Sequence, residues 1–337
     1  MEFKHFSGVF GAYDRMAMLK TGAAGLADRN FMIPNDPAFS YQTASGTKGF
    51  TAAAVFTLAA EGKISLEDRV KSLLGESPGA EKYGALDWLS DTVTIRSLLN
   101  HTSGIPDYFD EETMDSFEEA LNGNANYHYE RPEQFFPLAE RAWKKQQAPY
   151  ASRNAFKYSN GGFVILAAVV EAASGGLFAD YISSHVFAPA GMNQSGFFRF
   201  DEPAPEVIRA TAYQKNGRSN IYAVPVIGGG DGGAYTNPSD MAKFWNLLDP
   251  EIHPGHPLAC LMEEAWTTCH EAEGNRYGLG FWISGKNPRI VFLEGFDPGV
   301  QFFSYYNRDT KRSLTICLND ETMNCDAVFE QYYALVE

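Results

Sequence analysis

The amino-acid sequence predicts an α+β fold in which a mainly antiparallel sheet, built from both chain ends, is flanked by helices and carries an inserted, mostly helical lobe. Two short segments near the N-terminus and four in the last third have the residue pattern of strands. They lie at 8–13, 16–22, 276–284, 289–295, 300–307 and 312–319. Consecutive strands joined by short turns are antiparallel. The sheet is therefore expected to combine both termini.

Three helices are the clearest of those predicted between and after these strands. An Ala-rich helix is expected over about 45–61, ending near Gly62. The apolar stretch GGFVILAAVVEAASGG begins after Ser159 or Asn160 as N-cap and ends at Gly175. A third helix begins at Asn237-Pro238, since proline suits the first helical position. The C-terminal stretch DETMNCDAVFEQYYALVE predicts one more helix.

The chain is expected to form one catalytic domain over 1–337 with two packed lobes. The α/β lobe is predicted at about 1–62 and 205–337, and the helical lobe at about 63–204. With 337 residues, of which 45% are hydrophobic, the chain is long enough to bury a large core. The sequence shows neither an internal repeat nor a linker between independent domains.

Composition excludes several classes of partner. The net charge is −15, from 27 basic and 42 acidic residues, which argues against nucleic acid and against an anionic membrane. The longest apolar run, at 163–170, is too short for a membrane span. The N-terminus has no signal-peptide core, so a cytoplasmic protein is expected as the chain stands, and export with a removed signal stays open. The oligomeric state is not predicted.

Four cysteines fall late in the chain and form no C-x-x-C pair, so buried free thiols are expected at Cys260, Cys269, Cys317 and Cys325. His253 and His256 lie in a Pro/Gly-rich loop without an acidic helper on a helix, which favours surface residues over metal ligands. Neither feature predicts a metal site, and the serine, lysine and tyrosine described below handle protons without a metal or an organic cofactor.

Two motif matches do not carry function. Residues 75–79 fit the G-x-S-x-G nucleophile elbow around Ser77, but the elbow needs a preceding strand and a following helix. Here the preceding SLEDRVKSLL is helical in pattern, and Pro-Gly follows. Residues 228–233 fit G-x-G-x-x-G, but no helix opens directly after them, and Asp231 would repel phosphate.

The stretch YQTASGTKGF places Ser45 and Lys48 three residues apart at the start of the Ala-rich helix, on one face. A serine hydroxyl is a poor nucleophile until a base accepts its proton. A desolvated lysine favours its neutral form and can be that base. The small residues Ala44, Gly46 and Gly49 admit a substrate to the helix start, where free N–H groups stabilise negative charge.

A second group of polar residues, Tyr158-Ser-Asn160, directly precedes the apolar helix. A tyrosine beside a lysine ammonium ionises more easily, because the positive charge favours the phenolate. Such a tyrosine can relay a proton between Ser45 and a leaving group. The amide of Asn160 can both donate and accept hydrogen bonds with a substrate amide.

The order and spacing of these segments resemble the serine β-lactamase and penicillin-binding protein superfamily, whose signature includes S-x-x-K. The chain is most similar to the branch of class C β-lactamases, D-Ala-D-Ala carboxypeptidases and related family VIII esterases. The resemblance covers nearly the whole chain. Its segments are FSYQTASGTKGFTAAAVFTLAAEGKISLEDRV, VTIRSLLNHTSGIPDY, YSNGGFVILAAVVEAASG, FAPAGMNQSGF, GGGDGGAYTNPSDMAKFW and YGLGFW.

The resemblance implies a role for each matching position. Ser45 is expected to be the acylated nucleophile, Lys48 its proton acceptor, and Tyr158 the base and later the acid. Asn160 is expected to hold the amide or ester side of the substrate. His101, in the HTSG segment, is expected to be structural, and the 228–233 loop to flank the cleft.

The third family element, Lys-Thr-Gly or His-x-Gly on a strand, aligns with Leu293-Glu294-Gly295. Gly295 permits close approach to the nucleophile, and the N–H of Phe296 is expected to form an oxyanion hole with that of Ser45. The cation that binds a substrate carboxylate in the family is missing. Glu294 would repel a carboxylate if it faced the cleft, unless an arginine from elsewhere supplied the charge.

The sequence therefore predicts a serine hydrolase that forms an acyl-enzyme on Ser45, with small-molecule or peptide-like esters or amides as substrates. A β-lactamase or D-Ala-D-Ala carboxypeptidase is the first alternative. A non-catalytic ligand-binding homologue is the second, although such a protein would need none of the three proton-handling residues.

Overall fold

The computed structural model describes residues 6–84, 86–109, 117–145, 155–267, 270–272, 274–324 and 326–336. The strands of these ranges are β1 (Gly8–Asp14), β2 (Ala17–Ala24), β3 (Leu26–Asp28), β4 (Ile33–Pro34), β5 (Tyr41–Gln42), β6 (Tyr235–Thr236), β7 (His270–Ala272), β8 (Asn275–Tyr277), β9 (Trp282–Ile283), β10 (Ile290–Asp297), β11 (Val300–Asn307) and β12 (Arg312–Leu318).

The α-helices of the same ranges are α1 (Thr47–Ala60), α2 (Val70–Glu76), α3 (Ile95–Leu99), α4 (Phe117–Ala120), α5 (Pro132–Lys145), α6 (Asn160–Ser174), α7 (Phe178–Ile182), α8 (Ala188–Ala190), α9 (Pro238–Leu248), α10 (Ala259–Ala265) and α11 (Asp326–Tyr332). Short 3₁₀ turns lie at Ala44–Gly46, Ala80–Tyr83, Asn126–His128 and Tyr333–Leu335. A π-helical turn, Ser183–Phe187, joins α7 to α8.

One eight-stranded sheet joins the two ends of the chain, in the order β2-β1-β12-β11-β10-β9-β8-β7. The N-terminal β1 pairs antiparallel with the C-terminal β12 along its whole length. Neighbouring strands in the rest of this sheet are antiparallel as well. The predicted α+β fold with a mainly antiparallel sheet is therefore confirmed. The boundaries of the two lobes stay a prediction.

The predicted strand over 276–284 is wrong as a single element. The structure has two short strands there, β8 and β9, because the chain turns back between them. Gly280 has φ +87°, and a Cβ at this position would lie 2.4 Å from the Cβ of Ala52 in α1. This close approach to α1 breaks the strand. The strand β7, which precedes them, was not predicted.

The helices α1 and α6, which carry Lys48 and Asn160, form the centre of the larger hydrophobic core. The 3₁₀ turn and α1 together cover the predicted helix, and every residue of α1 from Thr47 to Phe56 is buried. The helix α6 begins as predicted, with the Ser159 side chain accepting from the N–H of Gly162 at 3.2 Å. It ends at Gly175, with φ +75°. The helices α1 and α6 pack against each other.

Two further expectations concern the cysteines and the membrane. Cys260 and Cys317 are free thiols, but only Cys317 is buried as expected, and Cys260 is exposed. Cys269 and Cys325 lie outside the described residues. In the part of the chain that the structure describes, no single helix is long and apolar enough to cross a membrane. Only the pair α6 and Phe178–Ala190, bent by 77°, reaches that length and composition.

Candidate active site

Ser45 lies in the 3₁₀ turn between β5 and α1, on a backbone held in an uncommon conformation. The preceding Ala44 has φ +43°, a region that residues with a Cβ seldom occupy. The carbonyl oxygen of Ala44 accepts from the Thr47 hydroxyl at 2.8 Å and from the N–H of Gly233 at 3.3 Å. Such strain is typical of functional sites, where the surroundings hold it in place. Ser45 is half-buried and lines the main cleft.

The amine of Lys48 is buried directly beneath Ser45, with 2% of the residue exposed. Its Nζ lies 2.9 Å from the Oγ of Ser45, 2.7 Å from the Oδ1 of Asn160 and 2.7 Å from the backbone oxygen of Asp231. These three oxygens match the three N–H donors of a lysine ammonium. In the neutral form, two donors can keep Asn160 and Asp231 while the lone pair faces Ser45.

Asn160 is the first residue of α6, and its side-chain amide is engaged at both ends. The Oδ1 accepts from Lys48, and the Nδ2 donates to the Oδ2 of Asp107 at 2.9 Å. Each amide atom retains capacity for one more hydrogen bond, and Asn160 lines the cleft. Its predicted role in holding the substrate stays a prediction.

The glycine-rich loop 228–233 flanks the cleft and is fixed to α1 and to a buried tyrosine. Thr51 donates to the oxygen of Gly230 at 2.6 Å, and the buried Tyr108 hydroxyl donates to the Oδ2 of Asp231 at 2.6 Å. Burial raises the pKa of the Asp231 carboxyl, although the nearby charge of Lys48 and the hydrogen bond from Tyr108 lower it. Burial and Asp231 also hold the pKa of Tyr108 well above its usual range.

Tyr158 lies beside Lys48, with the amine 4.9 Å from the centre of its ring. The ring lies between His101, at 4.4 Å, and the indole of Trp282, stacked at 6.5 Å between centroids. A cation at this distance from an aromatic ring is attracted to it. The structure thus places the amine of Lys48 next to both of the other predicted residues, the hydroxyl of Ser45 and the ring of Tyr158.

His101 supports this arrangement rather than facing the cleft. Its Nδ1 accepts from the N–H of Ser159 at 3.1 Å, so the ring proton lies on Nε2. Burial, with a smaller contribution from the charge of Lys48, holds the pKa of His101 well below its usual range. The ring is therefore neutral and packs against Tyr158, Phe163 and Tyr277.

Gly295 brings β10 into contact with the turn that carries Ser45. The pairing of β9 with β10 stops at Phe292, and the following residues of β10 pack on the turn Ala44–Gly46. A Cβ on Gly295 would lie 2.3 Å from the oxygen of Thr43 and 2.5 Å from the nitrogen of Ser45. Only glycine fits such an approach. The amides of Ser45 and Phe296 therefore lie near each other at the cleft, where the half-exposed Phe296 ring forms one wall.

The two residues before Gly295 lie on opposite faces of β10. Leu293 is 2% exposed and packs against α1, where a Cβ on Gly49 would come within 2.5 Å of its Cδ1. Strand alternation turns Glu294 to the opposite face of β10, where its charge contributes to raising the pKa of the buried Tyr277. Glu294 is not among the residues that line the cleft, and its role in substrate binding stays a prediction.

Aromatic side chains form much of the wall of the cleft above Ser45. Its rings include Tyr108, Phe109, Phe135, Phe198, Phe200 and Phe296. Two carboxylates, Asp231 and Asp297, line it as well. Of the described residues that line this cleft, none is lysine, arginine or histidine. The aromatic rings suit an apolar part of a substrate, and among the described residues the cation nearest to Ser45 is the amine of Lys48.

The motif matches that the sequence argued against have structural explanations. Ser77 follows helix α2, and its hydroxyl donates to the oxygen of Leu74 at 2.8 Å, so it is not on a nucleophile elbow. The 228–233 loop leads into strand β6 rather than a helix. Within the described ranges, no three His, Cys, Asp or Glu side chains are grouped closely enough to hold a metal ion.

Three residues of the site were not singled out from the sequence: Asp107, Tyr108 and the side chain of Asp231. The first two lie in the VTIRSLLNHTSGIPDY segment. The available signal was a carboxylate next to a tyrosine, directly after a proline. However, Asp107 bonds to Asn160, 53 residues away, and Tyr108 bonds to Asp231, 123 residues away. Contacts at such distances depend on the fold and leave no local pattern.

Comparisons with known proteins give one family. The model of the family described as Beta-lactamase matches residues 3–336. The crystal structure of a penicillin-binding protein from Bacillus halodurans is 32% identical, with a TM-score of 0.84 over 98% of this chain and 97% of that one.

Two proteins of Bacillus subtilis are similar along most of the chain. Penicillin-binding protein 4* is 28% identical over 351 residues, which cover 97% of this chain and 71% of that protein. The second protein, named "Putative penicillin-binding protein PbpX", is 26% identical over 298 residues, which cover 87% of this chain. The match spans only 65% of the length of PbpX. On the match to its family model over residues 3–336, this chain belongs to the Beta-lactamase family.

Proposed function

We propose that this protein is a serine hydrolase that cleaves esters or amides through an acyl-enzyme on Ser45. The observation that carries the proposal is the 2.9 Å contact between the Ser45 hydroxyl and the buried amine of Lys48, at the floor of the cleft. A nucleophile within hydrogen-bonding reach of a base, itself oriented by further groups, is the general arrangement of nucleophilic catalysis.

The geometry supports a two-step reaction. In the first step, the Oγ of Ser45 bonds to the substrate carbonyl carbon, its proton passes to Lys48, and the leaving group departs with a proton. In the second step, water attacks the acyl ester, releases the acid and returns the proton to Ser45. Tyr158, with its ring beside the Lys48 amine, relays protons to the leaving group and from the water.

The backbone amides of Ser45 and Phe296 bind the oxyanion that develops in both steps. Gly295 brings these two amides together, since a Cβ there would displace the nucleophile segment. Each donor of an oxyanion hole typically contributes about 10²–10³ in rate. The hydrolysis therefore uses protein groups alone for proton transfer and charge stabilisation.

The lining of the cleft supports substrates without a free carboxylate on the leaving side. In place of the family cation stands the buried Leu293, and the charged side chains among the described residues of the cleft wall are the carboxylates Asp231 and Asp297. A hydrogen bond to a charged group contributes about 1.5–3 kcal/mol, which is roughly ten- to a hundredfold in affinity. Uncharged esters and amides with an apolar acyl group fit this cleft best.

Comparing short p-nitrophenyl esters with nitrocefin tests this substrate class. We expect kcat/KM for p-nitrophenyl butyrate to exceed that for nitrocefin by at least about tenfold, because nitrocefin carries a carboxylate that would lie near the carboxylates Asp231 and Asp297. The methyl ester of the same cephalosporin is the control, and we expect it to be turned over faster than the free acid. Faster turnover of the free acid would contradict the substrate class.

A β-lactamase or D-Ala-D-Ala carboxypeptidase is the second candidate, favoured by the names of the Bacillus relatives. It uses the same Ser45, Lys48 and Tyr158, and differs only in the substrate. Rapid stoichiometric labelling of Ser45 by a fluorescent penicillin supports this candidate over the first.

A further inference from the structure

We propose that the consecutive residues Asp107 and Tyr108 are positioning residues for the acylation step. Through Asn160 and Asp231, respectively, they hold the amine of Lys48 against the serine nucleophile. The inference rests on the proposed function of Ser45 and Lys48 and adds to it the pair of side chains that makes their contact possible.

The Asp107 carboxylate holds Asn160 by both its backbone and its side chain. The Oδ1 of Asp107 accepts from the backbone N–H of Asn160 at 3.1 Å and from that of Phe109 at 3.1 Å. The Oδ2 accepts from the Nδ2 of Asn160 at 2.9 Å. Asp107 therefore fixes both the position of Asn160 at the start of α6 and the rotation of its amide.

The polarity of these contacts selects one orientation of the Asn160 amide. A carboxylate only accepts hydrogen bonds and an ammonium only donates them. The amide NH₂ must therefore face Asp107, and the amide oxygen must face Lys48, 2.7 Å away. Without the carboxylate, the amide could rotate by 180° and present two donors to the amine.

Tyr108 holds the other acceptor of Lys48 in the same manner. Its buried hydroxyl donates to the Oδ2 of Asp231 at 2.6 Å, and the backbone oxygen of Asp231 accepts from Lys48 at 2.7 Å. One two-residue segment thus fixes two oxygens that bind the amine. These two contacts hold Nζ where it lies 2.9 Å from the Oγ of Ser45.

The charge of Asp107 is sensitive to pH in the range where a hydrolase would be assayed. Burial raises the pKa of Asp107 to about 7. The hydrogen bond from the backbone of Phe109 and the charge of Lys48 lower this pKa, and the charge of Asp231 raises it. The groups facing it are Lys48 on α1, Asn160 on α6, Asp231 in the glycine loop and its neighbour Tyr108. Below about pH 7 the carboxyl gains a proton and loses an acceptor for the Asn160 amide.

The same shift predicts how stability responds to pH. Folding raises the pKa of the Asp107 carboxyl from about 3.8 to about 7. The contribution of this group to the stability of the folded state is therefore complete below pH 3.8, and it is lost as the pH rises through about 7. At pH 8 the ionised Asp107 therefore lowers stability. Removing its charge is expected to impair the reaction without unfolding the protein, as is common where an active site is held under strain.

The test is the substitution Asp107→Asn, assayed with p-nitrophenyl butyrate at pH 8. We expect kcat/KM to fall by about 10²-fold, because the new amide presents NH₂ to the NH₂ of Asn160 and displaces the amine. The melting temperature is expected to stay within about 3 °C or to rise. Combining Asp107→Asn with Asn160→Asp exchanges the two groups, restores the donor–acceptor order and is expected to recover at least about tenfold.

Two further variants complete the experiment. Tyr108→Phe removes only the hydroxyl and is expected to lower kcat/KM by about tenfold, since Asp231 then loses its donor. Asp91→Asn removes an exposed carboxylate, 84% accessible and paired with Lys71, and is expected to leave activity unchanged. Wild-type kcat/KM is expected to fall as the pH drops through about 7, and this decline is expected to weaken in Asp107→Asn.

Wild-type activity in Asp107→Asn would overturn the inference. So would a loss of activity that tracks a lowered melting temperature and is not recovered by the exchange, because that pattern indicates a purely structural residue. Ser45→Ala, assayed in parallel, separates the two levels. If it keeps full activity, the proposed function fails; if it is inactive while Asp107→Asn is normal, only the positioning role fails.

Discussion

Ser45→Ala is expected to lower the hydrolysis of p-nitrophenyl butyrate by roughly 10⁴-fold or more, the scale on which a serine nucleophile contributes. The substitution removes one oxygen that contacts the Lys48 amine at 2.9 Å and leaves the rest of the site in place. The folded state is expected to be retained, because Ser45 is half-buried at the cleft rather than within the core. Steady-state kinetics and a thermal melt of the same preparation measure both effects.

Ser77→Ala is the matched control for this substitution. Ser77 lies in the other sequence motif that resembles a nucleophile, but its hydroxyl donates to the oxygen of Leu74 after helix α2. We expect its loss to leave kcat/KM within about twofold of wild type and to cost at most about 1 kcal/mol of stability. Comparable losses in both variants would show that neither serine is the nucleophile.

Gly295→Ala is expected to be the most damaging substitution outside the proton-handling residues. The added methyl would lie 2.3 Å from the oxygen of Thr43 and 2.5 Å from the nitrogen of Ser45, so β10 must move away from the nucleophile. Loss of the oxyanion contacts is expected to lower kcat by at least about 10²-fold. Overpacking of this kind typically costs about 1–3 kcal/mol, which chemical denaturation can measure.

Gly75→Ala is the corresponding control. Gly75 lies in helix α2, and a Cβ there would meet no heavy atom within 4 Å. We expect unchanged kinetics and a gain of about 0.5–1 kcal/mol in stability, as for alanine in place of a helical glycine. If Gly295→Ala behaved like Gly75→Ala, the close approach of β10 to Ser45 would have no part in catalysis.

The strands at the two chain ends were predictable because their patterns are local. Alternating side chains and the tight turn at 308–311 placed the strand 300–307 at its observed bounds, Val300–Asn307. The caps of α6 and α9 were predictable for the same reason, since Ser159 and Asn237 each bond within their own helix turn. The break between β8 and β9 was not, because it depends on the contact of Gly280 with α1.

In the candidate site, too, contacts between residues close in the chain were predictable and contacts between distant residues were not. Ser45 and Lys48 share one turn of chain, so their contact could be expected from spacing alone. Tyr158 could be placed beside them only through resemblance to a family. The Asp107 contact with Asn160 joins residues 53 positions apart, and neither residue type by itself suggests it. Such tertiary contacts complete the site.

The most direct measurement of the central claim is the intact mass of the protein after reaction with a fluorophosphonate. The account predicts one adduct per chain, located on Ser45 by peptide mapping and lost in Ser45→Ala but not in Ser77→Ala. Lys48→Met is expected to slow the labelling, because the amine at 2.9 Å takes the proton from the nucleophile. A protein that gains no adduct, or gains it on another residue, would contradict the claim that Ser45 is an activated nucleophile.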